Sequence, residues 1–254
     1  MSGVTAAERL LMQLGISKAQ DIDLDAIAWH VGAAVKYRHM DSADATIVGS
    51  STHAVIAVNN SRRQSRQRFS LAHELGHWHY HRGKVLFCGP PDIANFARGP
   101  LDPERQADTF ASDLILPGYL VRPWVSRMKK VTLTQAREIA HEFQASMTAT
   151  LIRILNEDRF PIVLVCHGKD KRHWFRRATM IPEWWFPRED LDADSFAFGI
   201  LHGGAAADGF PRKNGAGAWF DFRNVDRFEL FEQSFPLPNE EVLTVLTIPE
   251  EGLG

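Results

Sequence analysis

Cysteine is nearly missing from this chain. Only Cys88 and Cys166 occur among its 254 residues, so a disulfide framework is not expected and a four-thiolate zinc site is excluded by count. Reducing surroundings, and with them a cytoplasmic location, fit that usage. Long apolar runs are missing too. No stretch approaches the roughly 18–20 residues of a membrane span. The N-terminal MSGVTAAERLLMQLGI has no basic region leading into an apolar core, so neither a signal peptide nor membrane association is expected. Neither sign of charge dominates: 29 Lys and Arg against 31 Asp and Glu leave a formal net charge of −2. Tight non-specific binding to nucleic acid therefore has no electrostatic basis. Internal repeats and low-complexity tracts are absent. What is present, 44% hydrophobic and 24% charged residues, supports a sizeable core and excludes wholesale disorder.

Apolar periodicity predicts helices over Ala6–Leu14, with Leu10, Leu11 and Leu14 on one face, and over Leu24–Val31 behind the cap Asp23. Strand-like pieces follow at Ala34–Tyr37, Ala45–Val48 and His53–Val58. The last, HAVIAVNN, is rich in Val and Ile and stops at an Asn pair. Residues 65–82 read as one helix ended by Gly83. A loop carrying Gly89, Pro90, Pro91, Gly99 and Pro100 precedes a helix that starts at Asp102-Pro103 and runs to Pro117. Helices over 133–143 and 147–156 flank the turn Gln144–Ser146. After Asn156 the character changes to strands (PIVLVC, EEVLTVLTI), tryptophan-rich pieces and a long loop assigned Gly203, Gly204, Gly209, Gly215 and Gly217. Three parts are expected: 1–130, a helical pair at 131–158, and a mixed α/β domain at 159–254.

The chemistry concentrates in RFSLAHELGHWHYH, Arg68 to His81. His73-Glu74-Leu75-Gly76-His77 is H-E-x-x-H. On a helix, positions four apart share a face, so both imidazoles reach one ion. One Zn2+ is expected, with Mn2+ or another divalent metal as the alternative. Such an ion acidifies water, and Glu74 beside the first ligand is suited to act as the base that takes its proton. The extended H-E-x-x-H-x-x-G-x-x-H pattern is lacking, because the residue six after His77 is Gly83. The third ligand is therefore sought downstream, at Glu104 in ERQAD. Asp108 lies one turn further on, where a carboxylate can orient a ligand histidine. An ordinary acid in a helix's first turn is the competing account of Glu104. His79 is read as a surface residue. His81 continues the stripe but is read as a cation at the helix C-terminus or a cap of the site, and a rival His77–His81 pair would leave Glu74 badly placed. Asp113 is expected at the solvent face and takes no role. HAVIAVNN is placed beside this helix, where an exposed edge would pair with an extended peptide; an internal position is the alternative.

The helices of LTQAREIAHEFQASMTATLIRILN have a helix-turn-helix rhythm, with Ile152 and Leu155 as core. A DNA-binding reading puts Thr148, Thr150 and Arg153 into a groove. A helical hairpin that completes the fold is preferred, given the charge balance. Trp174, Trp184, Trp185 and Trp219 are expected in the core or at a domain interface. His167, His173 and His202 are each read as surface histidines, with a lid role over the metal as the alternative.

Taken together, RFSLAHELGHWHYH and ERQADTFASDLILP resemble the ImmA/IrrE family of bacterial metallopeptidases. The resemblance rests on Arg68, Phe69, Ser70, Ala72, His73, Glu74, Leu75, Gly76 and His77, then Glu104, Ala107, Asp108, Phe110, Ala111, Leu114, Ile115 and Pro117. It covers about residues 5–156 and implies His73, His77 and Glu104 as zinc ligands and Glu74 as general base. It also implies an α+β fold: a gluzincin-like peptidase domain, a helix-turn-helix-like pair, and a small C-terminal domain that loosely resembles a sensory, GAF-like one. The implied activity is zinc-dependent cleavage of a regulatory protein such as a helix-turn-helix transcriptional repressor, in a stress or mobile-element response. The alternative is a non-proteolytic regulator that binds DNA or a partner through its helix pair.

Overall fold

In the computed structural model, residues 3–83 and 102–253 are described. The Gly- and Pro-rich segment expected between Gly89 and Pro100 lies outside them, as does Cys88. The fold is α+β, with eight α-helices and two sheets among the described residues. Among those residues no helix is long and apolar enough to cross a membrane. The chain divides into two compact units. The first comprises Met1–Pro123 with Ile139–Ser146, and the second Trp124–Glu138 with Met147–Gly254.

The first unit opens with α1 (Ala6–Gln13), closed by a reciprocal capping box between Thr5 and Glu8. In α2 (Leu24–His30) the Asp23 carboxylate accepts from the backbone N–H groups of Asp25 and Ala26. Strands β1 (Ala33–Arg38), β2 (Ala45–Gly49) and β3 (Ala54–Asn59) form a sheet in the order β1-β3-β2. β3 runs parallel to β1 and antiparallel to β2. HAVIAVNN is thus the central strand, not an exposed edge: its Ile56, Ala57 and Val58 are all buried, on both faces of the sheet. The open edges belong to β1 and β2. Helix α3 (Gln64–His81) packs on β2 and β3, and α4 (Pro103–Ile115) packs on α3 and α1. Asp102 caps α4 by accepting from the Glu104 N–H at 3.0 Å.

Helix α5 (Gly118–Arg127) has no counterpart in the sequence pattern because Pro123 sits inside it. Proline lacks the N–H for the intrahelical bond, and the boundary between the units falls at this residue. Helices α6 (Leu133–Glu142) and α7 (Met147–Asn156) follow. α7 buries Leu151, Ile154 and Leu155, while Ile152 is only half-buried, so the core stripe is rotated from the one expected.

The second unit is built on a five-stranded antiparallel sheet, from β4 (Ile162–His167), β5 (Arg172–Arg177), β6 (Arg212–Gly215), β7 (Glu229–Leu237) and β8 (Glu241–Thr247), in the order β5-β4-β8-β7-β6. Every residue of β4 is buried. Val163, Val165, Val242 and Leu246 face a core with Trp185, Trp219 and Phe220, and α8 (Phe196–Gly203) packs against β7. The buried Glu232 carboxylate accepts from the Ala197 N–H, the Trp219 indole N–H and the Asn214 amide. Trp185 and Trp219 are therefore core residues, whereas Trp184 is exposed. The expected glycine loop is largely ordered structure. Gly203 ends α8, Gly204 supplies its left-handed cap at φ +66°, and Gly215 pairs with Glu229.

Candidate metal centre

His73, His77 and His81 occupy successive turns of α3 on one face. The Nε2 atoms of His73 and His77 are 3.0 Å apart. Glu104, from the first turn of α4, brings Oε2 to 3.2 Å from His73 Nε2 and Oε1 to 3.3 Å from His77 Nε2. Metal–ligand bonds of ~2.0–2.1 Å in tetrahedral geometry give ligand–ligand edges of ~3.3 Å. The three donors lie at nearly that spacing, and two imidazoles with one carboxylate suit a borderline-soft divalent ion.

A glycine makes this approach of two helices feasible. A Cβ at Gly76 would stand 2.8 Å from Ala107 Cα and 3.0 Å from its carbonyl oxygen. Only hydrogen at position 76 lets α4 lie close enough for Glu104 to reach both rings. The leucines and alanines around it (Leu71, Ala72, Leu75, Ala107, Ala111) are buried and hold the contact.

The outer nitrogens are also engaged. Asp108 Oδ1 lies 2.9 Å from His73 Nδ1. A carboxylate can only accept, so Nδ1 carries the proton and Nε2 presents its lone pair toward Glu104 and His77. Burial disfavours the charged form of His73, but the Asp108 hydrogen bond and the charges of Asp108, Glu74 and Glu104 outweigh it, and the pKa is raised. For His77 burial prevails over Glu104, with help from the neighbouring His73 and His81, and the pKa is lowered. His77 Nδ1 stands 3.4 Å from His81 Nδ1. Glu74 is 3% exposed on the same helix. The donor set grades from the His77 side chain, 1% exposed, to that of Glu104, 65% exposed, so the centre has a buried floor and a wet rim.

Four of the five residues singled out in the sequence, His73, His77, Glu104 and Asp108, therefore meet by direct approach, and Glu74, next to His73 in the sequence, is buried on the same helix. Of the two expectations for His81, the helix-end cation at the surface does not hold: it is buried against His77, because the 73–77–81 stripe stays on the inner face to the helix end. Asp113, expected at the surface, is buried on α4. His79 is exposed and stacks on Phe110. His167, His173 and His202 all belong to the second unit. Of these His167 is buried, not superficial, and burial drives its pKa down to about 4.

Residues 30–155 match the Peptidase_M78 family model, described as the IrrE N-terminal-like domain. The chain belongs to the ImmA/IrrE family. The ImmA/IrrE segment contains β1 to β3, α3 and α4, and hence the whole donor cluster, and it points to a peptidase. No curated protein matches the chain significantly. Among solved structures, a Mycobacterium tuberculosis transcriptional regulator is similar with a TM-score of 0.59 and 13% identity, over 95% of this chain and 73% of that one. At that identity the likeness concerns the fold.

Proposed function

We propose that this ImmA/IrrE chain is a zinc-dependent endopeptidase with a gluzincin-like catalytic domain. His73, His77 and Glu104 would hold the ion, Asp108 would orient His73, and His81 would orient His77. When bound there, zinc supplies Lewis acidity to a substrate carbonyl and lowers the pKa of water. Glu74 takes the proton from the attacking water and delivers it to the leaving amine. The observation that carries the proposal is the triangle of donor groups beside Glu74's helix: the two Nε2 atoms are 3.0 Å apart, one Glu104 oxygen is 3.2 Å from that of His73, and the other is 3.3 Å from that of His77.

The substrate we propose is a regulatory protein, such as a helix-turn-helix repressor, whose cleavage relieves repression in a stress or mobile-element response. An extended segment would add to β2, an edge strand that packs with α3 and exposes Val48 at 75%. The C-terminal unit, a five-stranded antiparallel sheet with its own aromatic core, is proposed as a sensory, GAF-like module. Cytoplasmic action follows from a repressor substrate. The test is co-incubation of the purified chain with the repressor encoded beside its gene. Specific cleavage, abolished by a chelator and restored by zinc, is expected. An intact repressor under zinc-replete conditions, or cleavage indifferent to chelation, would sink the proposal.

A further inference from the structure

A second set of donors lies in the C-terminal unit, where three adjacent strands end together. Cys166 is on β4, His173 on β5 and Glu241 on β8, and β4 lies between the other two. One donor atom from each of the three residues lies within 4.8 Å of the other two. His173 Nδ1 is 2.8 Å from Glu241 Oε1, and Cys166 Sγ is 3.9 Å from Glu241 Oε2.

The register explains how residues of unlike parity meet. Cys166 pairs with Leu243 on β8, so Glu241, two residues before Leu243, shares its face. On the other side Cys166 pairs with Trp174, which by simple alternation would send His173 to the opposite face. The next pair is His167 with Arg172, so His173 is the extra residue of a β-bulge. A bulge re-aims a side chain, and this one turns His173 toward Cys166 and Glu241. Gly168 accommodates it: a Cβ there would lie 2.5 Å from His173 Nε2. With Nε2 over the glycine, Nδ1 is the atom presented to the carboxylate.

We propose that Cys166, His173 and Glu241 form a second metal site, which takes a borderline-soft divalent ion such as Zn2+ through one thiolate, one imidazole and one carboxylate. Bonds of ~2.3 Å to sulfur and ~2.0–2.1 Å to nitrogen and oxygen require donor separations of ~3.3–3.5 Å. The two contacts above bracket that range, and small rotations of the partly exposed His173 and Glu241 reach it. Cys166 is fully buried. Burial and the charge of Glu241 push its thiol up to about 12, so the metal-free form is a neutral S–H and loading releases its proton. Three protein donors leave a position for water or a small ligand on the exposed side. A bound ion would tie β5, β4 and β8 together at one end of the sheet.

The proposal is separable from the peptidase reading, because the centre on α3 and α4 offers no sulfur. Cobalt titrated into the full-length chain should produce a thiolate-to-cobalt charge-transfer band in the near ultraviolet that saturates by two equivalents, and by one in His77→Ala, where the centre on α3 and α4 no longer competes. Cys166→Ser should abolish the band, and His173→Ala should weaken cobalt binding by about tenfold or more. Cys88→Ser and His77→Ala should leave it intact. Absence of the band in the native chain, its persistence in Cys166→Ser, or its loss in Cys88→Ser alone would overturn the proposal. Should Cys166→Ser fail to fold, exposed His173 carries the test: unchanged cobalt affinity in a folded His173→Ala chain overturns it equally.

Discussion

At the scale of single residues, Glu74 and Glu104 are both carboxylates near the same imidazoles, but their surroundings separate their tasks. Glu104 is largely exposed and touches both Nε2 atoms, whereas Glu74 is buried. Glu74→Gln keeps the donor triangle and removes the base, so zinc content measured by elemental analysis should stay unchanged while cleavage falls by at least about 10²-fold. Full activity in that variant would remove Glu74 from the mechanism. Glu104→Ala should instead lower zinc occupancy sharply, and unchanged stoichiometry would remove it from the ligand set. What was legible in the chain is the alignment of His73 with His77 and of Glu104 with Asp108, which helical spacing alone provides. The contact of His81 with His77 was not, since charge at a helix end and burial beneath a ligand predict the same stripe.

Gly76 illustrates a residue whose sign of effect depends on its neighbour. In an isolated helix, Gly→Ala stabilises by about 1 kcal/mol. Here the added methyl would meet Ala107 backbone at 2.8 Å. Neither helix can yield without moving Glu104 off the histidines. Gly76→Ala should therefore destabilise the metal-free protein by about 1–3 kcal/mol and reduce zinc affinity as well, read by thermal melting and metal titration. A raised Tm with undiminished zinc binding would mean that the helices are not held at this crossing.

At the scale of elements, α3 begins poorly. Arg63 at its N-cap gives no side-chain hydrogen bond, and the first turn contains no acid, although the positive end of the helix dipole favours one. Asp44, just before β2, supplies the charge from outside. Its oxygens lie 2.6 Å from Arg62 Nε and 2.6 Å from Arg66 Nη2, linking the start of α3 to the edge of the sheet. Burial tends to raise the Asp44 pKa, but hydrogen bonds and charges from Arg66 and Arg62 outweigh it and the pKa is lowered. A carboxyl with a lowered native pKa contributes stability above its unfolded value of ~3.9 and loses it as pH falls through the native value. The pair is partly solvated, so Asp44→Asn should cost about 1 kcal/mol or less. The Tm deficit should be visible at neutral pH and vanish in acid. A deficit that persists in acid would assign it to packing.

The elements themselves were readable where caps and periodicity agree. Asp23, Asp102-Pro103 and the Val- and Ile-rich strands marked their positions to within a residue or two. α5 was hidden by Pro123, and α8 by the glycines at its end. Strand order was not legible: β3 is central because β1 pairs in parallel with one of its edges and β2 antiparallel with the other, a pairing that no local pattern encodes. The meeting of Cys166 with Glu241 depends on the same kind of non-local register, and that of Cys166 with His173 on a bulge that reverses simple alternation.

At the scale of the whole molecule, the question is whether the helix pair reads DNA. α7 gives a physical answer. Thr150 is completely buried, and Arg153 is mostly buried with its guanidinium 3.3 Å from Glu157. A recognition helix must present such residues to base edges, and phosphate contacts need unspent positive charge. The net charge of −2 supplies no compensating field. A fluorescence-anisotropy titration of Glu74→Gln protein against the operator of the neighbouring repressor should therefore show no binding at physiological salt. The inactive variant ensures that any binding is not obscured by proteolysis. Sequence-specific binding that Arg153→Ala abolishes while the fold survives would reverse this conclusion. The helix pair would then be a DNA reader whose Glu157 contact opens on binding, and the protein a regulator acting at the operator itself.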